Sequence, residues 1–292
     1  MKAYLFPGQG AQSISMASEL LTDFPKARIL YEKAKSITGI DFTAVSENDL
    51  KSTRITQLAI FLHSIGRYEE EKERCLSTGI TESEFLQGIC MGGFSLGEYS
   101  ALCASGVLSL EDTIDLLDHR SLYMDEAAKQ NPGGMVAVIG LPDETVEKVL
   151  LSYDNIYPVN YNCPGQLVIA GDEENLSHAS EELLALHAKR ALKLNVSGAF
   201  HTKYMSPASV RLSVYAAKFT FHASQCTLYS NVTGEPLEAN ESFPEYLAKH
   251  MISPVRFTHE IQCMQRAGIT DFVELGPGKV LTGLVAKIRK SV

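Results

Sequence analysis

The sequence predicts a mostly parallel α/β domain interrupted by a smaller unit of β-α-β-β-α-β order, and three observations predict it. Strand-sized apolar runs alternate with helical periodicity from Ala3 to Lys129. The rhythm changes between Gly133 and Val196, where strands come in closer succession. The helical pattern then resumes and runs to the C-terminus, so the ends and the centre of the chain belong to different units. The expected boundaries are 1–131 together with 198–292 for the larger domain, and 132–197 for the inserted one.

The elements follow in order. Ala3-Tyr4-Leu5-Phe6 reads as a buried strand closed by Pro7-Gly8-Gln9-Gly10. Helical patterns cover Ile14–Leu21, Ala27–Ala34 and Gln57–Leu76, the last carrying Glu69-Glu70-Glu71 on an expected wet face. Phe85–Met91 reads as the next strand, followed by helices at Gly97–Ala104 and Glu111–Lys129; Ser109 with Asp112 resembles a capping box before the second. The centre gives strands at Met135–Leu141, Ile156–Tyr161, Gln166–Gly171 and Arg190–Val196, with helices at Glu144–Leu151 and Glu174–His187. That order is the ferredoxin-like one. A helix at Ser206–Lys218, a short strand at Leu228–Asn231, helices at Glu245–His250 and Glu260–Ala267, a strand at Phe272–Leu275 and a helix at Leu281–Lys290 complete the reading.

Composition narrows the function. The chain has 292 residues, 45 % of them hydrophobic and 21 % charged, which is globular and can bury a full core. A net charge of −9 argues against nucleic acid as the main partner. No apolar run is long enough to span a bilayer, and the one at the N-terminus is too short for a signal peptide, so a cytoplasmic protein that does not engage membrane is expected. Six cysteines stand singly with no CxxC and no close Cys/His spacing, which fits reduced thiols and neither a disulfide framework nor a metal site; Cys90 reads as a small core hydrophobe.

Gly93-Phe94-Ser95-Leu96-Gly97 between an expected strand and an expected helix is the strongest chemical signal. A serine on a sharp strand-to-helix turn needs neighbours without Cβ atoms, because the two backbones would otherwise collide. The helix N-terminus beneath it favours developing negative charge. The alternative is a glycine-rich turn whose serine only caps the helix. Of eight histidines, most lie in charged or helical surface patterns; His201 instead follows the small residues Ser197-Gly198-Ala199 where the chain returns from the insert, a place where clefts form, and is the expected base. Arg120 has Leu116, Leu117, Tyr123 and Met124 at its helical neighbour positions. A guanidinium on an apolar face needs an anion: an internal carboxylate, or a substrate carboxylate held bidentately.

The motifs together resemble those of malonyl-CoA:acyl carrier protein transacylases and the related acyltransferase domains of polyketide synthases. Phe6-Pro7-Gly8-Gln9-Gly10-Ala11-Gln12 is similar to their opening motif, and Gly93 to Leu102 to their serine elbow. Asn160 to Gln166 resembles their N-x-N-x-PGQ segment, Gly198-Ala199-Phe200-His201 the malonyl-selective histidine motif, and Ser253-Pro254-Val255 and Glu274 to Leu284 the C-terminal motifs. The resemblance runs from Phe6 to Leu284. It implies an α/β-hydrolase-like large domain with a ferredoxin-like insert, and it assigns roles. Ser95 would be acylated, with His201 as general base and acid and the His250 main-chain carbonyl orienting its ring. The N–H groups of Gln9 and Leu96 would form the oxyanion hole. Arg120 would hold the malonyl carboxylate, Phe200 would exclude a substituent at the α-carbon, and Asn162 and Phe94 would help bind substrate. Phe94 replaces a usual histidine in the elbow, and Leu58 a frequent proline, read as a small change at a helix start.

The reaction implied is ping-pong transfer of malonyl from malonyl-CoA to the phosphopantetheine thiol of an acyl carrier protein, in fatty acid or polyketide synthesis, with no metal or redox cofactor. Carrier proteins are acidic, so a basic patch is expected beside the cleft, at Lys189, Arg190, Lys193 and Lys203. Three other readings are an acyl hydrolase clearing stalled carriers, a non-catalytic docking subunit of a synthase complex, and a carboxylesterase. An Arg120 clamp argues against the first, and retention of Ser95, His201 and Arg120 against the second. Indifference to Arg120→Ala would mark the third.

Overall fold

The computed structural model describes residues 1–291. In chain order its first half comprises β1 (Lys2–Phe6), α1 (Met16–Asp23), α2 (Arg28–Thr38), α3 (Thr53–Leu76), α4 (Glu82–Gln87), β2 (Ile89–Gly93), α5 (Leu96–Ala104) and α6 (Leu110–Gln130). The insert contributes β3 (Gly134–Ile139), α7 (Asp143–Leu150), β4 (Ile156–Cys163), β5 (Gln166–Gly171), α8 (Glu173–Ala185) and β6 (Arg190–Lys193). Then come α9 (Ser206–Ala216), β7 (Thr227–Leu228), α10 (Phe243–Ile252), α11 (Phe257–Arg266), β8 (Asp271–Glu274) and α12 (Val280–Lys290).

Ala3 to Phe6 are all buried because β1 is covered on both faces, as a central parallel strand must be. The sheet order is β7-β2-β1-β8, with β1 parallel to β2 and β8, and β2 parallel to β7. Alternation divides β1 between two cores. Tyr4 and Phe6 join the large one under α3, α5 and α6. Ala3 and Leu5 join the other, built with Phe257, Ile261 and Met264 of α11 and Leu281, Leu284 and Ile288 of α12. The insert forms its own antiparallel sheet, β4-β5-β3-β6, with a separate core of Val136, Val138, Val146, Ile169 and Leu183. This is the α/β-hydrolase-like domain with a ferredoxin-like insert. The insert is stitched back to the large domain through β4: Val255 N–H donates to Val159 O at 2.7 Å and Tyr161 N–H to Val255 O at 2.9 Å.

Several expectations are corrected. Phe85–Met91 is not one strand, because Thr81 and Glu84 form a reciprocal capping box that turns Glu82–Gln87 into α4, and β2 starts at Ile89. Helix α3 starts four residues earlier than expected, after Ser52 in extended conformation, so Leu58 lies fully buried inside the helix and not at its start. Glu69, Glu70 and Glu71 are half-buried, and Glu71 accepts from Tyr4 Oη at 3.0 Å. At Ser109 only half of the box forms, the side chain accepting from Asp112 N–H at 3.1 Å. Strand β7 keeps two residues, because Ser230 and Asn231 turn away towards α5 and α11. Strand β6 stops at Lys193; Leu194 N–H still donates to Met135 O at 2.9 Å, and Leu194 to Val196 line the cleft. All six cysteines are free thiols and Cys90 is fully buried. Among the described residues, no helix is long and apolar enough to cross a membrane.

Candidate active site

The turn between β2 and α5 is closed by two glycines that cannot be anything else. A Cβ on Gly93 would lie 2.1 Å from the Gly97 carbonyl carbon and 2.2 Å from the Glu98 nitrogen, and one on Gly97 would lie 1.8 Å from the Phe6 oxygen. Between them Ser95 adopts φ 52° and ψ −102°, a conformation L-residues avoid and a strained elbow imposes. The Pro7-Gly8 loop crosses directly over the elbow, since a Cβ on Gly8 would be 2.3 Å from Phe94 O. That crossing brings Gln9 to the serine. No hydrogen bond among the described residues uses the N–H of Gln9 or of Leu96, and both residues line the same cavity as Ser95.

His201, 106 residues away in sequence, meets Ser95 with Nε2 2.8 Å from Oγ. Its Nδ1 is 3.0 Å from Ser253 O and 3.3 Å from His250 O. Two carbonyl acceptors require Nδ1 to carry the proton, which leaves Nε2 with a lone pair facing the serine. The expected His250 carbonyl is therefore present, but Ser253 is the nearer acceptor. Like Ser95, His201 has positive φ, 61°. Burial, and then the nearby Arg120 charge, push its pKa down to about 4, so the ring is neutral at pH 7.

Arg120 is 1 % exposed. Its Nη1 donates to Gln57 Oε1 at 2.6 Å, its Cζ lies 5.0 Å from the Tyr99 ring centroid, and its Nε has no partner. Among the described residues it forms no ion pair: the carboxylate two residues before it, Asp118, is taken by Arg54 through Nε and, at 2.8 Å, Nη2. An internal carboxylate is thus not what satisfies this cation. Instead the guanidinium faces a cavity of about 360 Å³ lined also by Gln9, Ser95, Leu96, Phe200 and His201. Phe94 lines it too and packs edge-on against Phe257, ring centroids 5.5 Å apart. Asn162 does not reach this cavity. It lies in an adjoining one of about 200 Å³, which shares Gln9, Gly10, Phe94, Asn160 and Leu194 with the first.

Sequence reasoning missed the polar network beneath the serine. Glu98, Asn231, Tyr246, His250 and Glu260 are all buried and joined by hydrogen bonds. Burial raises Glu98 to about 7 and holds Glu260 well above the usual carboxylate range, with Glu98 adding to the latter. Burial also keeps His250 neutral, so its 3.4 Å approach to Glu98 is not an ion pair. The signals were Glu98 inside the elbow motif and His250, expected only for its main-chain carbonyl; nothing local marks Asn231, Tyr246 or Glu260. Contrary to the surface reading, His63 and His250 are 2 % and 1 % exposed. Of the expected basic patch, Lys193 adjoins Leu194 at the cavity and Lys203 follows His201, while Lys189 and Arg190 sit at the far end of β6, about 10 Å up the strand. Lys193 is 3.0 Å from Glu173, and Lys203 donates to Asn155 Oδ1 at 2.8 Å.

Comparison with known proteins places these features in context. The model of the acyl transferase domain family matches residues 3–292. The chain is 35 % identical to the malonyl CoA-acyl carrier protein transacylase of Bacillus subtilis, over 99 % of this chain and 90 % of that one. It is 33 % identical to the protein of that name from Escherichia coli K12, over 98 % and 92 %. Its fold superposes on the crystal structure of MCAT from Streptococcus pneumoniae with a TM-score of 0.89 at 37 % identity, covering 100 % of this chain and 94 % of that one. It is also similar to PlMCAT in a complex described as a type II PKS acyl-carrier protein with its malonyl-transacylase, with a TM-score of 0.91 at 34 % identity over 99 % and 93 %.

Proposed function

The chain belongs to the acyl transferase domain family, and on that premise we propose that it carries malonyl from malonyl-CoA to the phosphopantetheine thiol of an acyl carrier protein through a malonyl ester on Ser95. The reading rests on one observation above all: a Ser95–His201 hydrogen bond of 2.8 Å opens onto the same cavity as a buried arginine that has no carboxylate partner among the described residues.

The chemistry follows from the groups in that cavity. His201 Nε2 takes the Ser95 proton as Oγ attacks the thioester carbonyl, and the Ser253 and His250 carbonyls stabilise the resulting imidazolium through Nδ1–H. The free N–H groups of Gln9 and Leu96 hold the oxyanion, the latter at the N-terminus of α5. Collapse expels the CoA thiol with the proton from His201. The carrier's thiol then enters, gives its proton to the same nitrogen and regenerates Ser95 by the reverse sequence. Arg120 holds the malonyl carboxylate, Phe200 crowds the α-carbon, and Phe94 and Asn162 border the path of the substrate. Every group in this scheme comes from the chain or its two substrates, so no metal or redox cofactor enters it. The catalytic domain comprises 1–131 and 198–292 and the insert 132–197, and the reaction belongs to the cytoplasm, where the free thiols stay reduced.

Intact-mass analysis after incubation with malonyl-, methylmalonyl- and acetyl-CoA tests the scheme. A dominant malonyl adduct mapped to Ser95 is expected. No adduct, or one on another residue, overturns it.

A further inference from the structure

No step above uses Asn231, yet its side chain is tied to the main chain on both sides of the elbow. It is 0 % exposed. Its Oδ1 accepts the Ser95 N–H at 2.6 Å, and its Nδ2 donates to Gly93 O at 2.5 Å and to Glu260 Oε2 at 2.8 Å. Its own N–H donates to Glu98 Oε2 at 3.0 Å. The amide therefore spans the elbow, gripping one residue before Phe94 and one after it.

That grip falls where the main chain offers none. Phe94 N–H donates to Phe6 O, Gly97 N–H to Phe94 O and Glu98 N–H to Ser95 O, but the Ser95 N–H finds no main-chain acceptor. A residue at φ 52° stays there only if its surroundings over-determine it. Asn231 does so from below. It also removes the Ser95 N–H from the donors near the substrate, leaving those of Leu96 and Gln9. The amide is itself locked against rotation, because a flipped side chain would set its NH₂ against the Ser95 N–H and its oxygen against Gly93 O. Glu260 completes the lock. It fits beneath the strand only because Gly92 has no side chain, since a Cβ there would be 2.1 Å from Glu260 Oε1. His250 Nε2 lies 3.5 Å from Oδ1, and Tyr246 donates to Glu98, the carboxyl that accepts the Asn231 N–H.

We propose that Asn231 is a positioning residue that holds the strained Ser95 with Oγ directed at His201, and that Glu260 fixes the asparagine. The proposal rests on the acyl-transfer reading above and adds to it a residue that touches neither substrate nor base.

Single-turnover malonylation of Ser95, followed by intact mass across malonyl-CoA concentrations, tests it in the full chain. Asn231→Ala is expected to lower the maximal acylation rate about 30- to 100-fold while the half-saturating malonyl-CoA concentration changes less than about threefold, because misdirecting a nucleophile costs rate and not affinity. Glu260→Ala, which reads the same link without touching the asparagine, is expected to lower the rate about 3- to 10-fold with the same split. An acylation rate within twofold of the parent in either folded variant overturns the proposal, as does a rise in half-saturation with the rate preserved. Failure of the parent itself to acquire malonyl on Ser95 would instead remove the acyl-transfer reading.

Discussion

In the proposed reaction, Arg120 sets what the site accepts. With Asp118 committed to Arg54 and no carboxylate paired with Arg120 among the described residues, the malonyl carboxylate is its partner in the proposed reaction. Charge-assisted hydrogen bonds of this kind contribute about 1.5–3 kcal/mol. Arg120→Ala should therefore reduce the preference for malonyl- over acetyl-CoA in acylation of Ser95 by about 10- to 150-fold, read as a ratio of kcat/KM values. The same cation acts on His201. The base must be neutral to accept a proton, and burial and Arg120 hold its pKa near about 4. The acid limb of kcat/KM should thus lie well below the ordinary histidine value, with activity sustained down to about pH 5. Removing the charge in Arg120→Ala should move that limb to higher pH, measurable with acetyl-CoA. A limb that stays in place would show that the arginine does not act electrostatically on the base.

At the scale of elements, the strand-turn-helix passage depends on absent Cβ atoms, and this was legible from the pentapeptide alone. Gly97→Ala would drive a methyl group into the Phe6 carbonyl. It should cost about 3 kcal/mol or more in unfolding free energy, checked by denaturant titration, and abolish acylation. The polar layer under α5 gives a second expectation. Glu98, at about 7, and Glu260, well above the usual carboxylate range, carry protons in the fold at pH values where the unfolded chain has lost them. Both folded values are raised, so their contribution to stability is greatest at low pH and is lost as pH rises through the folded values. His63 and His201, with lowered values, work in the opposite direction but only below about pH 6.5. The Glu98 and Glu260 contributions should therefore decline as pH rises from about 4.5 through about 7, and Glu260→Gln should flatten that part of the profile relative to the parent, as read from unfolding midpoints at the two pH values. Misread elements have equally local causes. Phe85 and Leu86 are as apolar as strand residues, and only the Thr81–Glu84 box decides that they approach the core from a helix.

Across the whole molecule, two cores share β1 while the insert keeps its own, and the catalytic cavity forms where strand β6 of the insert feeds back towards His201. A net charge of −9 makes approach of an acidic carrier protein dependent on local cations at that rim. Charge reversal at Lys203 should raise the KM for carrier protein several-fold and leave that for malonyl-CoA nearly unchanged, whereas reversal at Lys189, at the far end of β6, should have the smaller effect. By itself the sequence determined the class of fold, the serine elbow and the burial of Arg120 on an apolar helix face, because periodicity, turn glycines and helical spacing are properties of neighbouring residues. Only the tertiary structure decided that Ser253 is the nearer support for His201, that Asn162 borders a second cavity and that Asn231 grips the nucleophile. Each of those is a contact between segments far apart along the chain, fixed by how layers pack and leaving no trace in local pattern.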